Sequence, residues 1–293
     1  MPSNLSPYRF PGGKTKITPL VSKTITLNYN QEKPIYIEPF AGGFGVGLNL
    51  LKQNQIKEAI INELNSGLYS VWKYILQDPI VLINKIRKTN VTIDEWHRQR
   101  KIHQDNKNQI NLDNAFSTWF LNRTNVSGII TGGVIGGLQQ QGKYKVDCRF
   151  NKLKLIQKIE WINSQKDRIS LFNMDGSELI KQLPDLYSEQ KVFMLIDPPY
   201  YKEGKTLYES YFNKENHIKL RDALLNLNQD DRIKWIETYD INQNIYELYK
   251  GRFDCYTYGI NYSVTKAHKA KEYIFTNKNT LLESADKIHI DKI

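Results

Sequence analysis

The chain has almost no cysteine: Cys148 and Cys255 are the only two in 293 residues. Two such thiols build neither a disulfide framework nor a four-cysteine zinc cluster, and they suit a reducing compartment. No apolar run approaches the ~18 residues of a membrane span. The opening Met1-Pro2-Ser3-Asn4 lacks the charged and apolar sections of an export signal. These absences predict a cytoplasmic protein with no membrane partner. No internal repeat is visible, and the nearest approach to low complexity is the short run of residues 136–142, read as a loop. His97, His103 and His217 show no metal-ligand spacing, so no metal is expected.

Negative charge is also short. Thirty-one Asp and Glu stand against 41 Lys and Arg, a net charge of +10 that favours a polyanionic partner, nucleic acid first. Hydrophobic residues make up 40% and charged residues 25%, which excludes a wholly disordered chain.

Residues 34–40 read as a short buried strand closed by Pro39 and followed by Gly42, Gly43, Gly45 and Gly47. A helix resumes over residues 46–51, and residues 59–62 form a second strand ending at Glu63. From Ser66, the positions Leu68, Val71, Trp72, Ile75 and Leu76 recur at helical spacing until Asp78-Pro79 stops them. Further apolar runs at 169–172, 192–196, 233–236 and 273–275, separated by helical patterns such as 217–227, predict an α/β sheet. Residues 80–165 are polar, basic and interrupted by glycine. The expected organisation is a catalytic domain of residues 1–79 and 166–293 with an inserted recognition lobe over 80–165.

A glycine turn between strand and helix lets backbone approach a ligand closely while the helix start presents unpaired N–H groups. Dinucleotide folds hold a pyrophosphate in this way, yet Glu38 stands where a phosphate site avoids an anion. A ligand bearing an ammonium group fits better, and the amino-acid portion of S-adenosylmethionine carries one. Glu63, about twenty positions past the glycines, is suited to the two hydroxyls of a ribose. Upstream, Tyr8-Arg9-Phe10-Pro11-Gly12-Gly13-Lys14 sets rings that can stack on adenine beside a lysine that can pair with a carboxylate. Read as structure alone, the glycines only build a turn and the two acids are solvated strand ends.

The most specific signal is the apolar run of residues 192–196 followed by Asp197-Pro198-Pro199-Tyr200. A buried strand there delivers an acid, two prolines and an aromatic to the sheet edge where α/β folds place their sites. The prolines fix the backbone and remove two donors, leaving carbonyls free to accept from an amino group. The 6-amino nitrogen of adenine is a poor nucleophile because its lone pair is delocalised. Asp197 and the Pro198 carbonyl, accepting its hydrogens, would turn that lone pair toward a sulfonium methyl. A base inside a duplex must first be flipped out and stacked, which Tyr200, with Tyr201, is placed to do.

Together these segments resemble the Dam-like, D12-class family of DNA adenine methyltransferases, in that family's order and over nearly the whole chain. The resemblance implies a Rossmann-like, S-adenosylmethionine-dependent sheet with an inserted, mainly helical DNA-recognition lobe. Arg9-Phe10-Pro11-Gly12-Gly13-Lys14 is similar to the family's N-terminal cofactor motif, implying donor contacts from Phe10 and Lys14. Residues 38–45, with Glu38, Phe40, Gly42 and Gly43, resemble its glycine-rich motif, Asn62-Glu63-Leu64-Asn65 its ribose motif, and Asp175 the position lining the cofactor's adenine. Asp is common in the family at the places of Glu38 and Glu63. Phe120-Leu121-Asn122-Arg123 is similar to the segment leading into the recognition hairpin, so Asn122, Arg123, Asn125 and the region to about Phe150 would face DNA. Leu207-Tyr208 through Tyr211-Phe212, His217, and Glu237-Thr238-Tyr239-Asp240 resemble motifs that close the site.

Residues 85–107 hold seven cations against three anions, and Lys143, Lys145, Arg149, Lys152, Lys154 and Lys158 form a second basic cluster suited to phosphates. Trp96, Trp119 and Trp161 read as core. The expected partner is double-stranded DNA, with a cognate restriction endonuclease as a candidate and the chain a monomer or weak dimer. The competing readings are an RNA or protein-glutamine methyltransferase, whose relatives often carry Asn in place of Asp197, and a DNA-binding relative without activity.

Overall fold

The computed structural model describes residues 4–10, 12–30, 32–201, 212–263 and 267–293, and side chains outside 260–270. Pro11 and the stretch 207–211 of the closing motif lie outside the described residues. The chain divides into two compact units, one built from residues 14–62 and 174–293, the other from residues 5–13 and 63–173.

A 3-10 turn at Lys14–Ile17 opens the first unit, followed by α1 (Thr18–Tyr29), β1 (Ile35–Glu38), α2 (Gly45–Lys52) and β2 (Glu58–Asn62). The second unit holds α3 (Ser66–Gln77), α4 (Pro79–Lys88), α5 (Ile93–Asn106), α6 (Leu112–Thr124), α7 (Lys152–Asn163) and β3 (Ile169–Phe172). The first unit then resumes with α8 (Gly176–Leu186), β4 (Val192–Ile196), α9 (Lys214–Leu225), β5 (Ile233–Asp240) and α10 (Gln243–Tyr249). It ends in β6 (Asp254–Ser263), β7 (Ala267–Thr276) and β8 (Ile290–Lys292).

The strands of the first unit run in the order β2-β1-β4-β5-β7-β6-β8. β1 pairs in parallel with β2 and β4, and β4 with β5; β7, β6 and β8 continue antiparallel. Every residue of β1 and β4 is buried, as expected of parallel strands covered on both faces, and this is why they read as nearly unbroken apolar runs. The chain leaves β1 toward β2 and later returns on the opposite flank as β4. That reversal opens a crevice beyond the C-terminal ends of β1 and β4, the place where open α/β sheets take ligands. The register Ile37↔Met194 and Ile196↔Glu237 brings Glu38, Asp197 and Thr238 out at this edge.

In the second unit α3, α5, α6 and α7 each start on a cap. Asn65, Thr92, Asn111 and Asn151 accept from the backbone N–H of Leu68, Glu95, Asn114 and Lys154. α6 is buried on nearly all sides, packs against α3 and α5, and carries Phe116, Trp119 and Phe120 into a ring cluster with Phe150. Among the described residues no helix is long and apolar enough to cross a membrane.

Ahead of α2, Phe44 takes a left-handed conformation, φ 49°, which tucks its ring under the helix. A Cβ on Gly47 would lie 2.3 Å from that ring, so only glycine lets the two meet. Gly47→Ala is expected to cost about 1–3 kcal/mol by overpacking. Urea unfolding measures it, and an unchanged midpoint would mean that the ring has room to yield.

Candidate active site

Glu38 closes β1 in the crevice. Its Oε1 accepts from the Tyr36 hydroxyl at 2.9 Å and from the Gly47 N–H at 3.1 Å. Burial pushes the carboxyl up from 4.5 to about 8 against these two donors, so it carries a proton at neutral pH. A cation arriving beside it would draw that proton off. The buried acid is thus neutral until a cation comes beside it, instead of standing as a permanent anion.

Gly42 and Gly43 lie half-exposed in the turn between β1 and α2. The Phe40 ring rests directly on Gly176, where a Cβ would come within 2.6 Å of it, and meets the Phe212 ring edge-on at 5.7 Å. This packing sets Phe40 next to Asp175. Asp175 caps α8 by accepting from the N–H groups of Ser177 and Glu178 at 3.0 and 3.1 Å. Asn62 ties the turns together, donating to the carbonyls of Pro39 and Met174 at 2.8 and 2.9 Å.

Asp197 follows β4. Its Oδ1 takes the Lys14 ammonium at 3.1 Å and the Thr238 hydroxyl at 2.9 Å, and its Oδ2 has no partner among the described residues. The Lys14 ammonium, for which the resemblance implies a donor contact, is buried inside the protein between Asp197 and Glu272, with Glu272 Oε2 at 3.6 Å, and it donates to the Tyr200 hydroxyl. An ammonium taken out of water must find its counter-charges close by, and the sheet supplies two. Glu272, on β7, escaped the sequence reading: a single acid before the apolar run 273–275 looks like any strand end, and only the antiparallel pairing carries it to the crevice.

Deeper on the other face of β5, Glu237 is fully buried. Tyr249 donates to its Oε1 at 3.0 Å, while Oε2 has no partner among the described residues. Burial holds the carboxyl well above its usual range, which favours its neutral form. The Tyr239 hydroxyl meets His217 Nδ1 at 2.7 Å, and burial lowers the His217 imidazole to about 4, leaving it uncharged. The His217 ring lies 5.4 Å from Tyr201 and 4.7 Å from Phe212. Three residues of the closing motifs seen in the sequence, Phe212, His217 and Tyr239, therefore meet around one histidine.

Phe10, Glu63 and the expected DNA-facing residues belong to the second unit. Glu63 accepts from the Asn65 N–H at 2.9 Å, and the Phe10 ring packs 5.4 Å from Tyr8. Asn122 and Asn125, expected at a DNA surface, are both 0% exposed. Asn122 accepts from the Arg9 N–H and donates to the carbonyls of Arg9 and Gly128, each at 2.8 Å. Asn125 accepts from the Trp96 indole at 2.6 Å and donates to the carbonyls of Ile129 and Ile130. Both amides hold the loop architecture, with every polar atom of each engaged inside the protein. The cations differ: Lys143, Lys145 and Arg149 are exposed, and half-buried Arg123 donates to the Arg149 carbonyl at 2.6 and 3.0 Å. Burial and then the charges of Arg9 and Arg149 lower the Arg123 guanidinium to about 10. Burial and then Arg123 lower Lys158 to about 8. Among the described residues no carboxylate pairs with Arg9, Arg123 or Arg149. Such a concentration of like charge is relieved by an anion.

Among the described residues no group of three or more His, Cys, Asp or Glu is placed to hold a metal ion.

The raised Glu38 carboxyl makes stability depend on pH. Between about 4.5 and about 8 the folded protein holds a proton that the unfolded chain releases, so stability falls as pH rises through that window. Glu38→Gln keeps the neutral shape and should show a shallower fall. If the stability gap between variant and wild type stays constant across the window, another group is titrating.

Residues 10–266 match the family described as D12 class N6 adenine-specific DNA methyltransferase. The Type II methyltransferase M.MjaIII of Methanocaldococcus jannaschii is 27% identical over 72% of this chain and 76% of its own. The Type II methyltransferase M.CviBI of Paramecium bursaria Chlorella virus NC1A is 24% identical over 74% and 76%. The modification methylase StsI of Streptococcus sanguinis is 24% identical over 76% of this chain, which spans only 34% of that longer protein. Among solved structures, the rRNA methyltransferase aviRa from Streptomyces viridochromogenes superposes at a TM-score of 0.37 and 8% identity, covering 92% of this chain and 87% of its own. The matched span runs from the loop before Lys14 through β4, Asp197 and Tyr200 to the end of β6, and it makes this chain a member of the D12 class of N6 adenine-specific DNA methyltransferases.

Proposed function

We propose that the methyl donor is S-adenosylmethionine and that the acceptor is the amine of an adenine swung out of duplex DNA and gripped by Asp197 and Pro198. The observation that carries this reading is the asymmetry of Asp197: one oxygen is held by Lys14 and Thr238, and the other is unpartnered on a side chain 27% exposed. A carboxylate so anchored presents one lone-pair direction to a substrate.

The donor's sulfonium supplies an electrophilic methyl group. Around it the chain offers an acid matched to an ammonium, Glu38, beside the backbone of Gly42 and Gly43, and the Phe40 ring next to Asp175. Asp197 Oδ2 and the Pro198 carbonyl accept the two amine hydrogens, which turns the nitrogen toward a tetrahedral shape and frees its lone pair. As the nitrogen–methyl bond forms the methyl–sulfur bond of the donor would break, leaving a neutral thioether, and the surplus N–H proton would pass by way of its acceptor to water; no covalent enzyme intermediate is required. The Tyr200 ring, fixed through its hydroxyl by Lys14, stacks on the extruded base.

The second unit is proposed as the recognition lobe, with Arg123 and Arg149, joined by Arg9 and Lys158, facing phosphates, and Lys143 and Lys145 extending the surface. A restriction endonuclease with the same target is the partner this reading favours. Expression in methylation-free cells, followed by single-molecule sequencing of the genome, tests the reading. Modified adenines in one recurrent site are expected, and an unmodified genome would overturn it.

Asp197→Ala should lose transfer of a labelled methyl group to DNA while its donor dissociation constant stays within about twofold, since the anchored acceptor is removed and the β1 side of the crevice is untouched. Transfer at the wild-type rate would contradict the role given to Asp197. Arg149→Gln should lower the slope of log affinity for DNA against log salt by about one, the contribution of one phosphate contact. A slope identical to wild type would take Arg149 off the backbone.

A further inference from the structure

We propose that Glu272, supported by Tyr258, is a positioning residue for methyl transfer: it holds the Lys14 ammonium at one oxygen of Asp197 and so keeps the other oxygen clear for the target amine. The inference rests on the reading of Asp197 as the amine's acceptor. Glu272 lies on β7, paired across the ladder with Tyr258 of β6 on one side and Asp240 of β5 on the other. It is 2% exposed, and Tyr258, 1% exposed, donates its hydroxyl to Glu272 Oε2. The same oxygen stands 3.6 Å from Lys14 Nζ.

An ammonium has three N–H donors on a tetrahedral frame. Lys14 meets acceptors in three directions: Asp197 Oδ1, the Tyr200 hydroxyl oxygen and Glu272 Oε2. With Glu272 in place, the cation is shared between two carboxylates and is drawn back toward the β6–β7 hairpin. Without that charge, the pull on the ammonium away from Asp197 is weakened, and it can shift across the face of Asp197 until it bridges both oxygens. It would then compete with the substrate amine for Oδ2, and its bond to Tyr200 would turn with it. Burial and the Asp197 charge make an ionised Glu272 costly, with Lys14 working in the opposite direction. Removing one member of a buried ion group leaves the remaining charge less compensated, so Glu272→Gln, which keeps the shape of the side chain, isolates what its charge contributes. Geometry at Asp197 is what it contributes.

The test compares Glu272→Gln, Glu272→Asp and Tyr258→Phe with wild type in steady-state transfer and in separate donor and DNA binding. For Glu272→Gln, kcat should fall about 10- to 100-fold, the scale of an ångström-sized misplacement at a reacting group. Both dissociation constants should stay within about twofold. Glu272→Asp keeps the charge and should recover part of kcat. Tyr258→Phe should lower kcat about three- to tenfold with binding unchanged, and it decides the question alone if Glu272→Gln does not fold. Wild-type kcat in Glu272→Gln, or in Tyr258→Phe where the former is unfolded, overturns the proposal. So does a parallel loss of kcat and donor affinity, the mark of a merely distorted site. Asp197→Ala, run alongside, separates the two levels. If it retains transfer, the reading of Asp197 fails; if it is inactive while Glu272→Gln is wild-type, only the role of Glu272 fails.

Discussion

One buried ammonium organises the crevice. Lys14 stands with 5% of its side chain exposed, between Asp197 and Glu272, and touches the Tyr200 hydroxyl. A lysine removed from water is tolerable only with counter-charge in close contact, and two carboxylates near each other are tolerable only with a cation between them. Each of the three therefore holds the others in place. The consequence reaches Asp197, where the cation helps decide which oxygen is occupied and which is open.

That triad could not assemble without the topology of the sheet. Lys14 comes from the turn before α1, Asp197 from the end of β4 and Glu272 from β7, and they are more than 180 and 250 positions apart from the lysine in sequence. The strand order reverses between β1 and β4, and the reversal leaves their ends facing a common opening. The antiparallel β6–β7 pair, laid beside β5, then brings a second carboxylate up to it. Thr238, on β5 beside Asp197, adds the hydroxyl that completes the anchoring.

The second unit shows the opposite relation between polarity and exposure. Its polar composition suggested a wet surface, yet Asn122 and Asn125 are enclosed, each with its amide hydrogen-bonded to loop backbone or to Trp96. Backbone that turns inside a protein needs partners that side-chain amides supply, since buried carbonyl and N–H groups are seldom left unpaired. Long cations have no such use in a core. Arg123, Arg149, Lys143 and Lys145 accordingly reach outward or lie half-buried at its margin, where an anion can meet them.

Local pattern was enough to mark β3 and β4 to the residue and β1, β2 and the helix at Ser66–Gln77 to within one or two, because a buried parallel strand must be apolar on both faces and a packed helix must repeat near 3.6. It also singled out Asp197-Pro198-Pro199-Tyr200, whose two prolines and acid at a strand end have few other uses. The long β6–β7 hairpin was seen only at residues 273–275, since half-buried antiparallel strands carry polar residues that blur the signal. The sequence alone determined the α/β class and marked the acid, prolines and aromatic that follow β4, because those depend on short-range periodicity and on side-chain chemistry. Which carboxylates of its own protein Lys14 meets, whether Glu38 is charged, and whether an asparagine faces water were decided by tertiary structure. Burial and long-range pairing set each of these, and neither is written in the spacing of neighbouring residues.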